Sequence, residues 1–331
     1  MHHIESWDQR MKISEDLYWY SKDKPVTSIF LRGFSANVFA IDQGDETWLI
    51  DTGTSLLNRP SRIVKWMLQD GLQPQRITKV FLTHAHPDHA GAVEVFAKKF
   101  GATVFIMEQE AAALAGGTSY LWAEEEAAAR GMIADFYPAP MHLVKAFASY
   151  SMGNTPCIDN PNILKDNDVV HGTRHDLVAL HAPGHVPGHA CYYLPDIQAA
   201  CIGDLIDPSF DRKASLNFPS SDFDQMYHSI ERMESYDIEI LCAAHAKQIL
   251  YGKENNRVLL AGALEMMDLA KAITIDLLKR PRGMRLKEFA GHYPKKTWLL
   301  QDQVCVPFSI IKSLEKEGKI RFDDAKRFFY E

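Results

Sequence analysis

Thr83-His84-Ala85-His86-Pro87-Asp88-His89 sets three imidazoles and one carboxylate within six residues, directly after the apolar run Val80-Phe81-Leu82. Imidazole nitrogen and carboxylate oxygen are the donors that zinc and similar borderline cations take. A lone histidine is usually an ordinary surface or core residue. Four such side chains crowded at a strand end desolvate and repel one another unless a cation holds them, so the stretch reads as a metal-binding loop.

His84-x-His86-x-Asp88-His89 after a hydrophobic strand resembles the signature of the metallo-β-lactamase-fold hydrolases. That resemblance implies an α/β fold, a four-layer αββα metallo-β-lactamase sandwich, with a one- or two-metal site on its edge. It also picks out later positions. Pro183-Gly184-His185-Val186-Pro187-Gly188-His189, after the apolar run 177–182, is similar to the family's third motif. By that likeness His185 is a ligand and His189 a buried histidine that buttresses the loop. Gly203-Asp204 closes another apolar run, nineteen residues after His185, and resembles the motif whose aspartate bridges two metals. His245 ends the run 238–244 and matches the last ligand, with Ala244 where the family usually has glycine. Asp51, in Leu49-Ile50-Asp51-Thr52-Gly53, is expected beneath the site, where it would hold backbone or ligand residues.

Carried over position by position, the resemblance gives one cation His84, His86 and His185. A second takes Asp88, His89 and His245, with Asp204 bridging. Two divalent ions are thus expected, zinc first, with iron or manganese as alternatives because these donors accept all three. Two cations about 3.5–4 Å apart make a bridging hydroxide available near neutral pH and polarise a carbonyl or phosphoryl oxygen. Asp88 is the expected catalytic residue, orienting that hydroxide and accepting its proton. The reaction class is hydrolysis, with no Ser or Cys nucleophile required. Histidine at 86 argues against the family's di-iron oxygen-reducing branch, and Leu205 after Asp204 lowers the lactonase branch. Among the remaining branches, the glyoxalase-II-like one implies a thioester or related carboxyl ester of a small molecule.

The elements that must position these groups can be read from turn and periodicity signals. Runs 17–20, 35–41 and 47–50 are β-rich and separated by turns such as Asp42-Gln43-Gly44-Asp45. Residues 58–70 have the spacing of an amphipathic helix that Gly71 stops. Residues 77–82 form a buried strand that delivers the ligand loop, a helix runs from Pro87 to Phe100, and 101–106 is the next strand. Strand–helix–strand alternation of this kind argues for layered α/β structure. Residues 107–165 depart from it as a helical insertion, long enough to require a role. Either it is a solvated helical hairpin or it caps the site, with Tyr120, Trp122, Phe136 and Tyr137 as candidates to line a substrate pocket.

The chain has 331 residues, 46% hydrophobic and 24% charged, with a net charge of −7, and no apolar run approaches the length of a membrane span. The N-terminus lacks a signal peptide's apolar core. Five scattered cysteines without a CxxC pair read as reduced thiols, so a cytoplasmic setting is expected. We divide the chain into a catalytic domain over 1–251, holding the insertion, and a helical, winged-helix-like domain over 252–331. The latter carries 16 Lys/Arg against 11 Asp/Glu on an otherwise acidic protein. Packing or dimerisation is the favoured role of this tail, and nucleic-acid binding would need its charges clustered on the 309–319 helix or the wing. Three functions therefore stand at this level: ester or thioester hydrolysis, a metal-dependent ribonuclease or phosphodiesterase, and a ligand-sensing regulatory protein. The partner expected is a small molecule, with no membrane. A homodimer through the cap or the tail fits the same reading.

Overall fold

The computed structural model describes residues 10–20, 34–137, 139–208, 213–293, 302–323 and 326–331. The N-terminal segment, with His2 and His3, lies outside the described residues. Two sheets stack face to face. The first runs in the order β1 (Arg10–Lys12), β2 (Leu17–Tyr20), β3 (Val38–Asp42), β4 (Thr47–Ile50), β5 (Ile77–Phe81), β6 (Thr103–Met107) and β7 (Asn162–Leu164). It is antiparallel through β4 and parallel from β4 to β7. The second contains β8 (Val169–Val170), β9 (Leu177–His181), β10 (Ala190–Leu194) and β11 (Ala199–Cys201). After the small hairpin β12 (Ile206–Asp207)–β13 (Lys213–Ala214), β14 (Ile240–Cys242) and β15 (Leu250–Tyr251) complete it, in the order β15-β14-β11-β10-β9-β8.

Successive strand side chains point to opposite faces, so strands buried on both sides must split their apolar residues between two interfaces. Trp19, Phe39, Ile41, Trp48, Ile50 and Phe81 point inward and meet Leu177, Ala179, Tyr192, Leu194, Cys201 and Cys242 of the second sheet. Their alternates Tyr18, Val38, Ala40, Leu49 and Val80 pack under α1 (Arg59–Gln69) and α3 (Val93–Phe100), against Ile63, Met67, Val93 and Phe96. On the far side Leu180, Cys191, Tyr193 and Leu241 meet α7 (Phe223–Glu234), α8 (Lys253–Leu278) and α9 (Asp302–Lys316) through Met226, Ile230, Leu260, Met267 and Phe308. Three apolar interfaces between four layers are what make the αββα sandwich. Phe81, which contacts Trp48, Phe105 and Tyr192, sits at its centre, just before the ligand loop.

The helix expected over 87–100 is broken in two, α2 (Pro87–Ala90) and α3. The Ala92 N–H donates to the Gly53 carbonyl at 3.0 Å instead of back along a helix, and a Cβ at Gly91 would meet the Pro87 carbonyl oxygen at 2.2 Å and crowd Ser55 N at 3.1 Å. The break fixes Asp88 and His89 in a single turn tied to the β4 loop. The stretch 107–165 is helical between β6 and β7, as α4 (Ala111–Ala128, kinked at Gly117), α5 (Ile133–Phe136) and α6 (Met141–Met152). Beyond β15, α8 begins at Lys253, and α9 is followed by the hairpin β16 (Ile320–Phe322)–β17 (Phe328–Tyr330). Leu260, Met267, Phe308 and Phe328 share one buried cluster with Phe136 of the insertion and Leu180 of the second sheet. Among the described residues, no helix is long and apolar enough to cross a membrane.

Candidate metal centre

The ligand loop leaves β5 with its backbone already committed. Thr83 donates its N–H to Asp51 Oδ1 at 2.8 Å, and its carbonyl accepts from Ala190 N at 2.9 Å, which clamps the two sheets together beside His84. Beyond it, Nε2 of His84 lies 2.9 Å from Nδ1 of His86, and Nε2 of His185 lies 3.2 Å from that same atom. Donors about 2.0–2.1 Å from one tetrahedral ion stand roughly 3.3 Å apart, so the separations are those of a shared cation. The remaining nitrogens are used elsewhere: His185 Nδ1 donates to the Ser215 carbonyl at 2.8 Å, and His84 Nδ1 lies 3.1 Å from Thr83 Oγ1. The first of these bonds puts the His185 proton on Nδ1 and leaves its lone pair facing the cluster.

A second group adjoins it. His89 Nε2 and His245 Nε2 lie 3.4 and 3.3 Å from Asp204 Oδ1, while Asp88 Oδ2 is 3.3 Å from His245 Nε2 and 3.8 Å from His89 Nε2. The other oxygen of Asp204, Oδ2, faces His185 Nε2 at 3.5 Å. One carboxylate thus presents an oxygen to each group. The donor atoms of His84, His86 and His185 lie within 4.8 Å of one another, as do those of His84, His89 and Asp204 and those of Asp88, His89 and His245. His84, His86, His185, His89, Asp204 and Asp88 are all buried. His89 Nε2 and Asp204 Oδ1 are shielded from solvent yet make no hydrogen bond among the described residues. Orphaned polar atoms of this kind are rare and call for a ligand; two converging lone pairs fit a cation.

Electrostatics separates the two groups. Burial, then the neighbouring imidazoles, pushes His84 well below the usual histidine range and His86 down to about 3; burial also lowers His185. These are three neutral imidazoles. Burial acts the same way on His89 and His245, but Asp204 and Asp88, joined at His89 by Asp51, outweigh it: His89 is raised well above its ordinary value and His245 to about 9. Burial would raise Asp88 and Asp204, yet the facing imidazoles hold both below the usual carboxylate range. In the second group protons compete with any cation for the same nitrogens.

The residues expected behind the ligands make specific contacts. Asp51 has a left-handed backbone (φ +58) and accepts from Thr83 while its Oδ2 lies 2.8 Å from His89 Nδ1. Nε2 of His189 accepts the Asp204 N–H at 2.9 Å and its Nδ1 donates to the Ala182 carbonyl at 3.0 Å, so this ring holds the Asp204 backbone. Of the four aromatics expected in a pocket, Trp122 and Tyr137 line a cleft of about 590 Å³ beside the cluster. Tyr120 and Phe136 do not line it. Tyr120 lies on the first sheet's outer core and Phe136 packs edge-on against Phe308 in the C-terminal core.

Several groups here went unnoticed in the sequence. Glu110, fully buried and pushed up to about 7 by that burial, accepts from Ala85 N and Gly188 N at 3.2 Å each and so ties the two histidine loops together. Phe218 lies 4.6 Å from the His86 ring and 5.4 Å from that of His185, and Phe34 stacks on His245 at 5.0 Å. The Phe218 loop is gripped from outside. Glu125 accepts from Ser220 N at 3.0 Å, and Lys312 donates to the Pro219 and Ser221 carbonyls at 2.8 Å each. One glycine carries a signal that could have been read: a Cβ on Gly188 would meet Glu110 N at 2.5 Å.

With seven donors converging at the edge of an αββα sandwich, the chain belongs to the metallo-beta-lactamase superfamily, whose family model matches residues 31–245. It is similar to the probable metallo-hydrolase YqgX of Bacillus subtilis, 27% identical over 175 residues, which are 52% of this chain and 66% of that protein. Two solved structures share the fold at low identity. A metallo-beta-lactamase family protein of Thermus thermophilus has a TM-score of 0.71 and 21% identity, over 89% of this chain and 94% of that one. A beta-lactamase domain protein of Burkholderia ambifaria has a TM-score of 0.70 and 15% identity, over 98% and 96%. The family and the clustered donors support a metal-dependent hydrolase.

Proposed function

We propose that the chain hydrolyses a carboxyl ester or thioester of a small molecule with two divalent cations. His84, His86 and His185 would hold one, Asp88, His89 and His245 the other, and Asp204 both. The observation that carries this is the paired donor geometry, with one Asp204 oxygen turned to each group. Bound there, a pair of divalent cations supplies a water ionised near neutral pH and polarises the substrate's acyl oxygen. The chain's own residues do the rest. Asp88 accepts the proton of the attacking water at a carboxylate oxygen. Asp51 and His189 keep His89 and Asp204 in register, and Phe218 and Phe34 cover His86 and His245 and keep bulk water away. Zinc is the ion we expect first.

The character of the surroundings favours an acyl substrate over a phosphodiester. Neither the narrow cavity at His86 and Asp88 nor the adjoining cleft is lined by any Lys or Arg among the described residues. The lysines of α9 are engaged: Lys312 with backbone carbonyls, Lys316 with Asp222, and Lys319 with Glu317 just beyond the helix. A nucleic-acid groove needs free positive charge along it. A cytoplasmic setting belongs to the same proposal, supported by five thiols without a disulfide. The test is to load the purified protein with zinc, manganese or iron, count bound metal by elemental analysis, and assay thioesters, carboxyl esters and lactones beside single-stranded RNA and bis-aryl phosphates. Turnover of the acyl compounds alone is expected. Cleavage of RNA or phosphodiesters with no acyl turnover would overturn the assignment.

A further inference from the structure

We infer that the apolar cleft beside the cluster is a subsite for a long, uncharged acyl tail, so that the substrate carries a chain of many carbons rather than a short acyl group. This rests on the ester-hydrolase reading above and names the substrate class for the same site.

Continuity comes first. Trp122, Ala148, Met152 and Phe218 line both the narrow cavity at His86 and Asp88 and the cleft of about 590 Å³, so a molecule whose acyl carbon lies at the cluster has an apolar way outward. Phe218 marks the inner end, against the His86 ring at 4.6 Å. The second observation is the wall. Among the described residues no Asp, Glu, Lys or Arg lines the cleft, and Leu143 and Phe147, one helical turn apart on α6, are 53% and 52% exposed. Adjacent large apolar groups left open to water along a cleft mark a surface meant to be covered. The volume lies within the range of small-molecule sites and far exceeds what an acetyl group would fill. A nucleotide or peptidyl tail would bring charges that no described residue of this wall answers. In the reaction the water oxygen bonds to the acyl carbon, the C–O or C–S bond breaks, and the alcohol or thiol leaves with a proton. The fatty acid is left with its tail in the cleft.

The test is a homologous series of straight-chain thioesters, acetyl to dodecanoyl, hydrolysed by the metal-loaded full-length protein. Each methylene that enters the cleft is expected to raise kcat/KM by up to about fourfold until the cleft is filled. The paired substitution Leu143→Ser and Phe147→Ser, at exposed positions that the core does not need, is expected to flatten that slope. Independently of turnover, calorimetric titration of the metal-free protein with octanoate, decanoate and dodecanoate should show affinity rising with length, and less so in the double variant. Equal rates for all lengths, with flat binding, would overturn the subsite and leave the ester reading standing. No turnover at any length would remove the thioester half of that reading, and the calorimetry would then decide the cleft by itself. A dimer in sedimentation that the double variant dissociates, with no length dependence, would make this face a contact between copies and overturn the proposal.

Discussion

Replacing Asp51 by asparagine changes one atom and is expected to empty one half of the metal centre. The left-handed backbone at 51 suits asparagine, so the fold is retained. Oδ1 accepts the Thr83 N–H at 2.8 Å, and an amide cannot turn its own NH2 toward that donor. The NH2 must therefore point at His89 Nδ1, 2.8 Å from Oδ2 in the native chain. That nitrogen has to become an acceptor, which sends the ring proton to Nε2, the atom that faces Asp204 Oδ1 at 3.4 Å. A cation can then bind only after that proton is displaced. Losing a carboxylate behind a histidine ligand weakens metal binding about 10–100-fold, or about 1.4–2.8 kcal/mol. The loss should fall on the group holding His89 and spare His84, His86 and His185. Zinc titration against a competing chelator reads both steps, and long-range ¹H–¹⁵N correlation of the metal-free protein reads the tautomer. Two ions held within threefold of wild type, or a loss confined to the other group, would refute the reasoning.

Three further outcomes follow from the geometry. Burial pushes Glu125 up to about 7, so its ionisation opposes folding: this penalty is nil below about pH 4.5, grows as pH rises toward 7 and is complete above it. Glu125→Gln removes it. The variant's stability relative to wild type should climb by roughly 3 kcal/mol at most between pH 5 and 8 in urea titrations, and a parallel offset would contradict the burial argument. Gly184→Ala puts a Cβ 2.4 Å from the Met226 backbone at a φ of +136, and overpacking with backbone strain should cost about 2–5 kcal/mol in the same assay. Chelation should lower the thermal midpoint, since ions present at a hundredfold excess over their Kd contribute about 2.7 kcal/mol per site; an unchanged midpoint would mean the cluster holds no ion.

How much was legible beforehand varied with the range of the interaction. The residues His84 to His89 stand out because four donors crowd one short loop, whereas His185, Asp204 and His245 are legible only through the resemblance to the family's later motifs, each a few residues beyond the end of a strand. Helix breakage at Gly91 was missed because its cause is 38 residues upstream, the Gly53 carbonyl that takes the Ala92 N–H. Phe136 and Tyr137, neighbours in the chain, were grouped together, yet one packs on Phe308 and the other faces the cleft.

Local chemistry and periodicity in this sequence were sufficient for the class of donor, the strands that carry them and the two faces each strand buries. Only the tertiary structure decided which donors meet. The distances that pair His86 with His185 across 99 residues, turn the two oxygens of Asp204 to different groups, and close the site with Phe34 and Phe218 arise from the stacking of two sheets. The same holds for Glu110 and Lys312. A carboxylate just before an alanine-rich helix and a lysine in a C-terminal helix are unremarkable along the chain, and they acquire their roles where folding buries them against backbone groups that need a partner.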